Sequence, residues 1–166
     1  MLTISPIVQQ VKLIFLLSSF AYSQDTITIH HKRYTTTFDK VLLYPVKVYW
    51  VDSTESICNT KTPGHVKRTN DFKADPKLAD YTDLKDDYKR GNERYDRGHN
   101  MDAADNACDI DQMRECFYFS NMTPQAKHLN EQTWKVLEDH TRKLAISARK
   151  VEIWCGSFGS IENMAG

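Results

Sequence analysis

Hydrophobic and polar positions change rhythm several times along this chain. Lys12 precedes an apolar run, Leu13-Ile14-Phe15-Leu16-Leu17, and the small residues of Ser18-Ser19 and Ala21-Tyr22-Ser23 follow. The run is too short to span a bilayer and no stop-transfer segment follows it, so residues 1–23 read as a secretory signal peptide. Residues 26–38, rich in Thr, Ile and Tyr, alternate loosely and read as a strand. Tyr44-Pro45 punctuates, and residues 46–51 then alternate cleanly, which predicts an antiparallel hairpin. Residues 52–94 are polar and broken at Pro63-Gly64 and Pro76; the acidic cluster Asp80, Asp83, Asp86 and Asp87 reads as a solvated loop. A polar insertion at 105–115 has room for one short helix, and residues 116–120 read as a compact aromatic strand. From Leu129 the period becomes helical, with Leu129, Trp134, Leu137, Leu144 and Ala148 on one stripe. Residues 151–155 form a last strand, ended by Gly156.

Composition narrows the class. A chain of 166 residues, 40% hydrophobic and 27% charged, describes one folded domain. We expect α+β architecture with a mixed, mostly antiparallel sheet over residues 24–166. Loss of residues 1–23 removes Lys12 and no acid, leaving a net charge of −1. Overall attraction therefore cannot hold a polyanion, and a nucleic-acid substrate needs a local basic patch and a metal. Lys67-Arg68 with Lys73 is the candidate patch, or else a solvated loop. Export to a secreted or periplasmic location exposes Cys58, Cys108, Cys116 and Cys155 to an oxidising compartment. Four cysteines allow three pairings and the sequence does not choose, nor does it exclude buried free thiols; the short loop Cys108–Cys116 is favoured, leaving Cys58–Cys155. Without a CxxC spacing, structural zinc is not expected.

The chemistry is concentrated between Tyr95 and Glu138. Asp96-Arg97-Gly98-His99 comes first, then an aromatic stretch, then a helix with Asn130 and Glu138. Phosphodiester hydrolysis needs an activated water, stabilised phosphoryl charge and a neutralised leaving oxygen. A neutral His can take the proton from water, an Arg can pair with phosphate oxygens, and magnesium can sit on one amide oxygen with water completing its shell. His99, Arg97 and Asn130 supply one of each. On an α-helix Asn130 and Glu138 lie about 80° apart around the axis and about 12 Å along it, so both cannot ligate one ion directly. Each residue alone would read as ordinary polar surface.

The ordered set resembles a known family. Tyr95-Asp96-Arg97-Gly98-His99 is similar to the DRGH signature of the DNA/RNA non-specific endonucleases, members of the ββα-metal superfamily. Asp87-Tyr88, Ala103-Ala104-Asp105, the Ser120 to Gln125 SNxxPQ segment and the Leu129 to Glu138 LNxxxWxxLE segment resemble further family motifs, from about Tyr34 to Gly156. The resemblance implies His99 as general base, Asn130 as ligand of one magnesium ion (manganese able to substitute), and Glu138 as organiser of water around it. It implies Arg97 as the group that meets phosphate charge, and Arg68, on a looser match, as a second such group. DNA and RNA are the implied substrates, cut with little sequence preference, with no membrane association after signal removal.

Three departures stand out. Asn100-Met101-Asp102 replaces a more apolar residue and Ala-Pro, and Asp102 adds charge near the phosphate site. Thr133 stands where some members have Gly. Family domains usually run further, so the domain reads as C-terminally truncated. Two rival readings follow: a catalytically inactive nucleic-acid-binding fragment, and a nuclease toxin with an immunity partner. His30 and His31 read as strand surface, His128 and His140 as helix surface, and the sequon at Asn121 as structural.

Overall fold

A computed structural model describes residues 11–13, 25–78, 81, 88–90 and 93–157. The acidic cluster and most of the proposed signal lie outside them. A five-stranded sheet has the order β1-β9-β4-β3-β2. Its strands are β1 (Val11–Leu13), β2 (Thr26–His30), β3 (Tyr34–Asp39), β4 (Tyr44–Ser53) and β9 (Lys150–Cys155). β1, inside the segment read as a signal, runs parallel to β9, and every other neighbour is antiparallel. The mixed, mostly antiparallel expectation holds.

Residues 26–38 are two strands, not one. The chain turns at His31, whose amide donates to Tyr34 O at 2.8 Å, and β2 folds back on β3. His31 is not surface: its ring stacks on Tyr34, and Nε2 lies 3.0 Å from the buried Asp75. Pro45 does not interrupt β4. It faces Phe38 where the β3–β4 register shifts, and an irregularity there tolerates a residue with no N–H.

Residues 116–120 are not a strand either. Asp109 caps α1 (Ile110–Glu115) by accepting from the amides of Asp111 and Gln112, and the chain leaves it through a 3₁₀ turn at Phe119–Asn121. The aromatic run is apolar because Phe117 and Phe119 are buried, and its backbone makes one isolated bridge, Tyr118 to Lys73, in place of a strand ladder. The strand lies just beyond: β8 (Met122–Gln125) pairs antiparallel with β7 (Asp96–His99). Two short strands, β5 (Lys89–Arg90) and β6 (Glu93–Arg94), form a separate ribbon.

The last helix begins as a π turn, Leu129–Trp134, and continues as α2 (Lys135–Ala148). Its inner face carries Thr141 and Ala145, while Leu129 is exposed, because the wider first turn shifts the apolar stripe. Ala145 packs with Tyr34, Val48, Trp50, Met101, Val151 and Ile153, so this core joins helix, sheet and the loop after β7. A second core joins Ala103, Ala107, Met113, Cys116 and Phe117 to Cys58, Val66 and Phe72. Met101 and Ala103 set the loop after β7 into these two cores, which fixes where that strand ends.

The disulfide links Cys58 to Cys108, and Cys116 and Cys155 are free thiols. The favoured Cys108–Cys116 loop does not form, because α1 occupies the stretch between them and turns Cys116 into the second core.

Candidate active site

Arg97 and His99 are two apart on β7, so their side chains leave the same face of the ribbon. Gly98 between them answers a packing demand. A Cβ there would collide with the Gln125 side chain. Opposite stands the last helix, tied to the ribbon twice. Trp134 Nε1 donates to His99 O at 3.0 Å, and Asn130 Nδ2 donates to Asp96 Oδ2 at 3.0 Å. The second bond leaves Asn130 Oδ1 as the outward acceptor. The π turn also matters here, since i→i+5 bonding takes more residues per revolution and shrinks the 80° offset between Asn130 and Glu138.

Between ribbon and helix lies a cleft of about 440 Å³. Arg68, Arg97, His99, Asn130 and Glu138 all line it, so the structure brings together the five residues to which the resemblance gave roles. Lys73 is not among them: it pairs with Asp71 and sits over Tyr118. Lys67 lines the adjoining cavity instead.

His99 is 6% exposed, edge-on to Phe117 with ring centres 4.8 Å apart, and Nε2 is buried without a hydrogen-bond partner. Burial, and after it the Arg68 charge, lowers the imidazole to about 3, so it is neutral at physiological pH. The Arg68 guanidinium stands 4.9 Å from the Phe117 ring centre, and Nε donates to Asn70 Oδ1 at 2.7 Å. Arg97 is flanked by Phe72, Tyr88 and Phe119 at 5.1, 5.7 and 5.8 Å, and its Nε is buried and unpartnered. Both cations are thus placed by rings and retain donors for an incoming anion. Burial first, then the Asp102 charge, pushes Glu138 up to about 8.

Asp102 is not a free charge at the phosphate site. It is buried, pairs with Arg142, and accepts from the amides of Ala104 and Asp105. Arg142 also meets Asp105 at 3.0 Å and Asp139 at 2.6 Å. Asp102 therefore fixes the first amides of the 3₁₀ turn Ala104–Asn106 from just ahead of it. Asn100 and Met101 also have structural tasks. The Asn100 side-chain amide donates to Asn121 O and Thr123 Oγ1, and Met101 fills the first core. Asn121 is buried; it accepts from Met101 N and donates to Met101 O and Cys116 O, so the sequon is structural. His30, His128 and His140 lie on the surface.

Sequence reading missed Asp96, Trp134 and Arg142 as positioning groups, and Phe72 and Phe117 as the aromatic floor. Only Asp96 and Trp134 carried a signal, as letters inside the motifs.

Among the described residues, no group of three or more His, Cys, Asp or Glu could hold a metal. A magnesium ion held by one amide oxygen with water needs no such group. An oriented Asn130 Oδ1 with Glu138 in the same cleft fits it.

The family model of the DNA/RNA non-specific endonucleases matches residues 15–164. The chain belongs to this family. Endonuclease G, mitochondrial, of Homo sapiens is 34% identical over 90 residues, 54% of this chain and 30% of that protein. Nuclease 1, mitochondrial, of Schizosaccharomyces pombe is 32% identical over 124 residues, 74% of this chain and 37% of its own length. The Nuclease of Nostoc sp. is 31% identical over 104 residues, 62% of this chain and 38% of its own length. The chain thus spans about a third of the length of these curated relatives. A solved structure of EndoG in complex with EndoGI superposes with a TM-score of 0.65 at 27% identity, over 78% of this chain and 52% of that one. The α+β fold, with strands β7 and β8 and the last helix as its ββα unit, is that of the endonuclease family.

Proposed function

We propose that this protein hydrolyses phosphodiester bonds of DNA and RNA with magnesium as cofactor. The convergence of Arg68, Arg97, His99, Asn130 and Glu138 on one cleft carries the reading. Asn130 Oδ1 would hold the ion, and Glu138 would accept hydrogen bonds from the water around it. When bound, magnesium supplies Lewis-acid stabilisation of phosphoryl and leaving-oxygen charge. Arg68 and Arg97 bind non-bridging oxygens and orient the diester. His99 takes the proton of the attacking water. The bound anion offsets the Arg68 charge that helps to keep His99 a weak base, so proton uptake becomes easier once substrate is in place. These groups address phosphate, not base edges, so little sequence preference is expected.

Export is part of the proposal, with residues 1–23 as signal and 24–166 as the catalytic domain. The Cys58–Cys108 disulfide supports an oxidising destination. Three mitochondrial names stand among the relatives, yet residues 1–23 contain no arginine, unlike an arginine-rich transit peptide. Among the described residues no helix is long and apolar enough to cross a membrane. The likeness to EndoG bound by EndoGI adds a protein inhibitor as a partner class.

The test is plasmid and RNA cleavage with magnesium or chelator, beside His99→Ala. Magnesium-dependent cleavage that falls by orders of magnitude in the variant supports the reading. A folded, unaltered protein that leaves both substrates intact refutes it.

A further inference from the structure

A second cavity, about 620 Å³, opens beside the catalytic cleft. The two share Arg68, Ala103, Ala104, Asp139 and Arg142, so they form one continuous surface. The second has a different character. Its floor is aliphatic, built from Val66, Ala103, Ala107 and Met113, with Ile57 and Ile146 at its sides. Its rim is cationic, with Lys67 on the loop and Lys143 on α2, and neither is in an ion pair among the described residues. Arg142 below them is neutralised by Asp102, Asp105 and Asp139. Asn59 and Thr60 add amide and hydroxyl groups at one edge.

This alternation of aliphatic floor and lysine rim matches a nucleotide, whose base is flat and apolar on its faces and whose phosphate is anionic. A cavity of this size holds a ligand of nucleoside dimensions. A base in a duplex keeps its faces stacked on neighbours and cannot enter; an unpaired base can. Resting on the nuclease reading of the adjoining cleft, we infer that this cavity is a flanking-nucleotide subsite. It receives one unpaired base next to the scissile phosphate while Lys67 and Lys143 hold the neighbouring phosphate. Single-stranded DNA or RNA is then held better than duplex.

Two variants probe it at exposed helix positions: Lys143→Ala removes a rim charge, and Ile146→Trp fills the cavity from its side. Fluorescence anisotropy of the full chain in chelator reads binding of a labelled single-stranded DNA oligonucleotide and of its duplex. The single strand binds more tightly to the unaltered protein; Ile146→Trp weakens it by about tenfold, the size of one lost base contact, and Lys143→Ala weakens it through one lost phosphate contact, each with smaller change for duplex. Unchanged single-strand affinity in both variants, or equal loss for both DNA forms, overturns the subsite. Hydrolysis of bis(p-nitrophenyl) phosphate with magnesium, a diester small enough to use the catalytic cleft alone, is measured in parallel. Its absence would strike the nuclease reading, while the binding result would still decide the subsite.

Discussion

Asn130 gives its side-chain N–H to Asp96 across 3.0 Å, and this bond decides which way the amide faces. An unrestrained amide could present nitrogen or oxygen to the cleft. Asp96, which as a carboxylate only accepts, selects the oxygen outward. Asp96→Leu should therefore raise the magnesium concentration needed for half-maximal cleavage by about 10- to 100-fold, the usual cost of losing such a partner. Asp96→Asn keeps an acceptor and should lose far less. Equal magnesium curves for Leu and wild type would remove Asp96 from the mechanism.

Glu138 gives a pH dependence of its own. Burial, then Asp102, pushes the carboxyl up to about 8, so the free protein holds a proton there at neutral pH. A cation at Asn130 favours the charged form. Magnesium binding should thus tighten as pH rises toward about 8, releasing a proton, and level off above it. Calorimetry in buffers of different ionisation enthalpy reads the proton directly. Glu138→Gln should abolish its release.

His99 gives the opposite kind of signal, in stability. Its folded value is depressed from 6.5 to about 3, so below 6.5 the unfolded chain binds a proton that the folded chain refuses. Stability is then lost as pH falls through that window, by up to about 1.4 kcal/mol per pH unit. Urea unfolding of His99→Gln from neutral to acid pH should show a shallower slope than wild type. Parallel slopes would mean that the imidazole is not held neutral.

Gly98→Ala tests the packing under the base. The new methyl meets Gln125 and should cost about 1–3 kcal/mol. Adding Gln125→Ala should recover much of it, a coupling that a thermal-melt double-mutant cycle reads.

Peptide mapping should find Cys58 joined to Cys108, with Cys116 and Cys155 alkylated only after unfolding. The bond spans a sequence separation of 50, and Cys58→Ser with Cys108→Ser should cost about 4 kcal/mol on the chain-entropy account.

What the sequence showed followed from the reach of each signal. Period and spacing are local, so β4, β9 and α2 were legible, and the family resemblance pointed to Arg97, His99, Asn130 and Glu138, with Arg68 on a looser match, all of which line one cleft. Three failures came from long-range facts. The β2–β3 turn at His31 is fixed by a packed ring and by Asp75, 44 positions away in sequence. Phe117 and Phe119 look like strand residues because burial selects them, while the run makes a single isolated bridge to Lys73. Asp102 looked like a stray charge because its partner Arg142 is 40 residues downstream.

The helix that carries Asn130 is tied both to β7 and to the loop that follows it. Trp134 holds His99 O near its start, and Arg142 holds Asp102 and Asp105 further along. His99 and Asn130 consequently belong to one hydrogen-bonded unit. The other wall, the irregular chain around Arg68, is held as well: Val66 N donates to Ala107 O, and Phe72 packs edge-on to Phe117. The separation of His99 and Asn130 is thus set by packing before any polymer reaches the cleft.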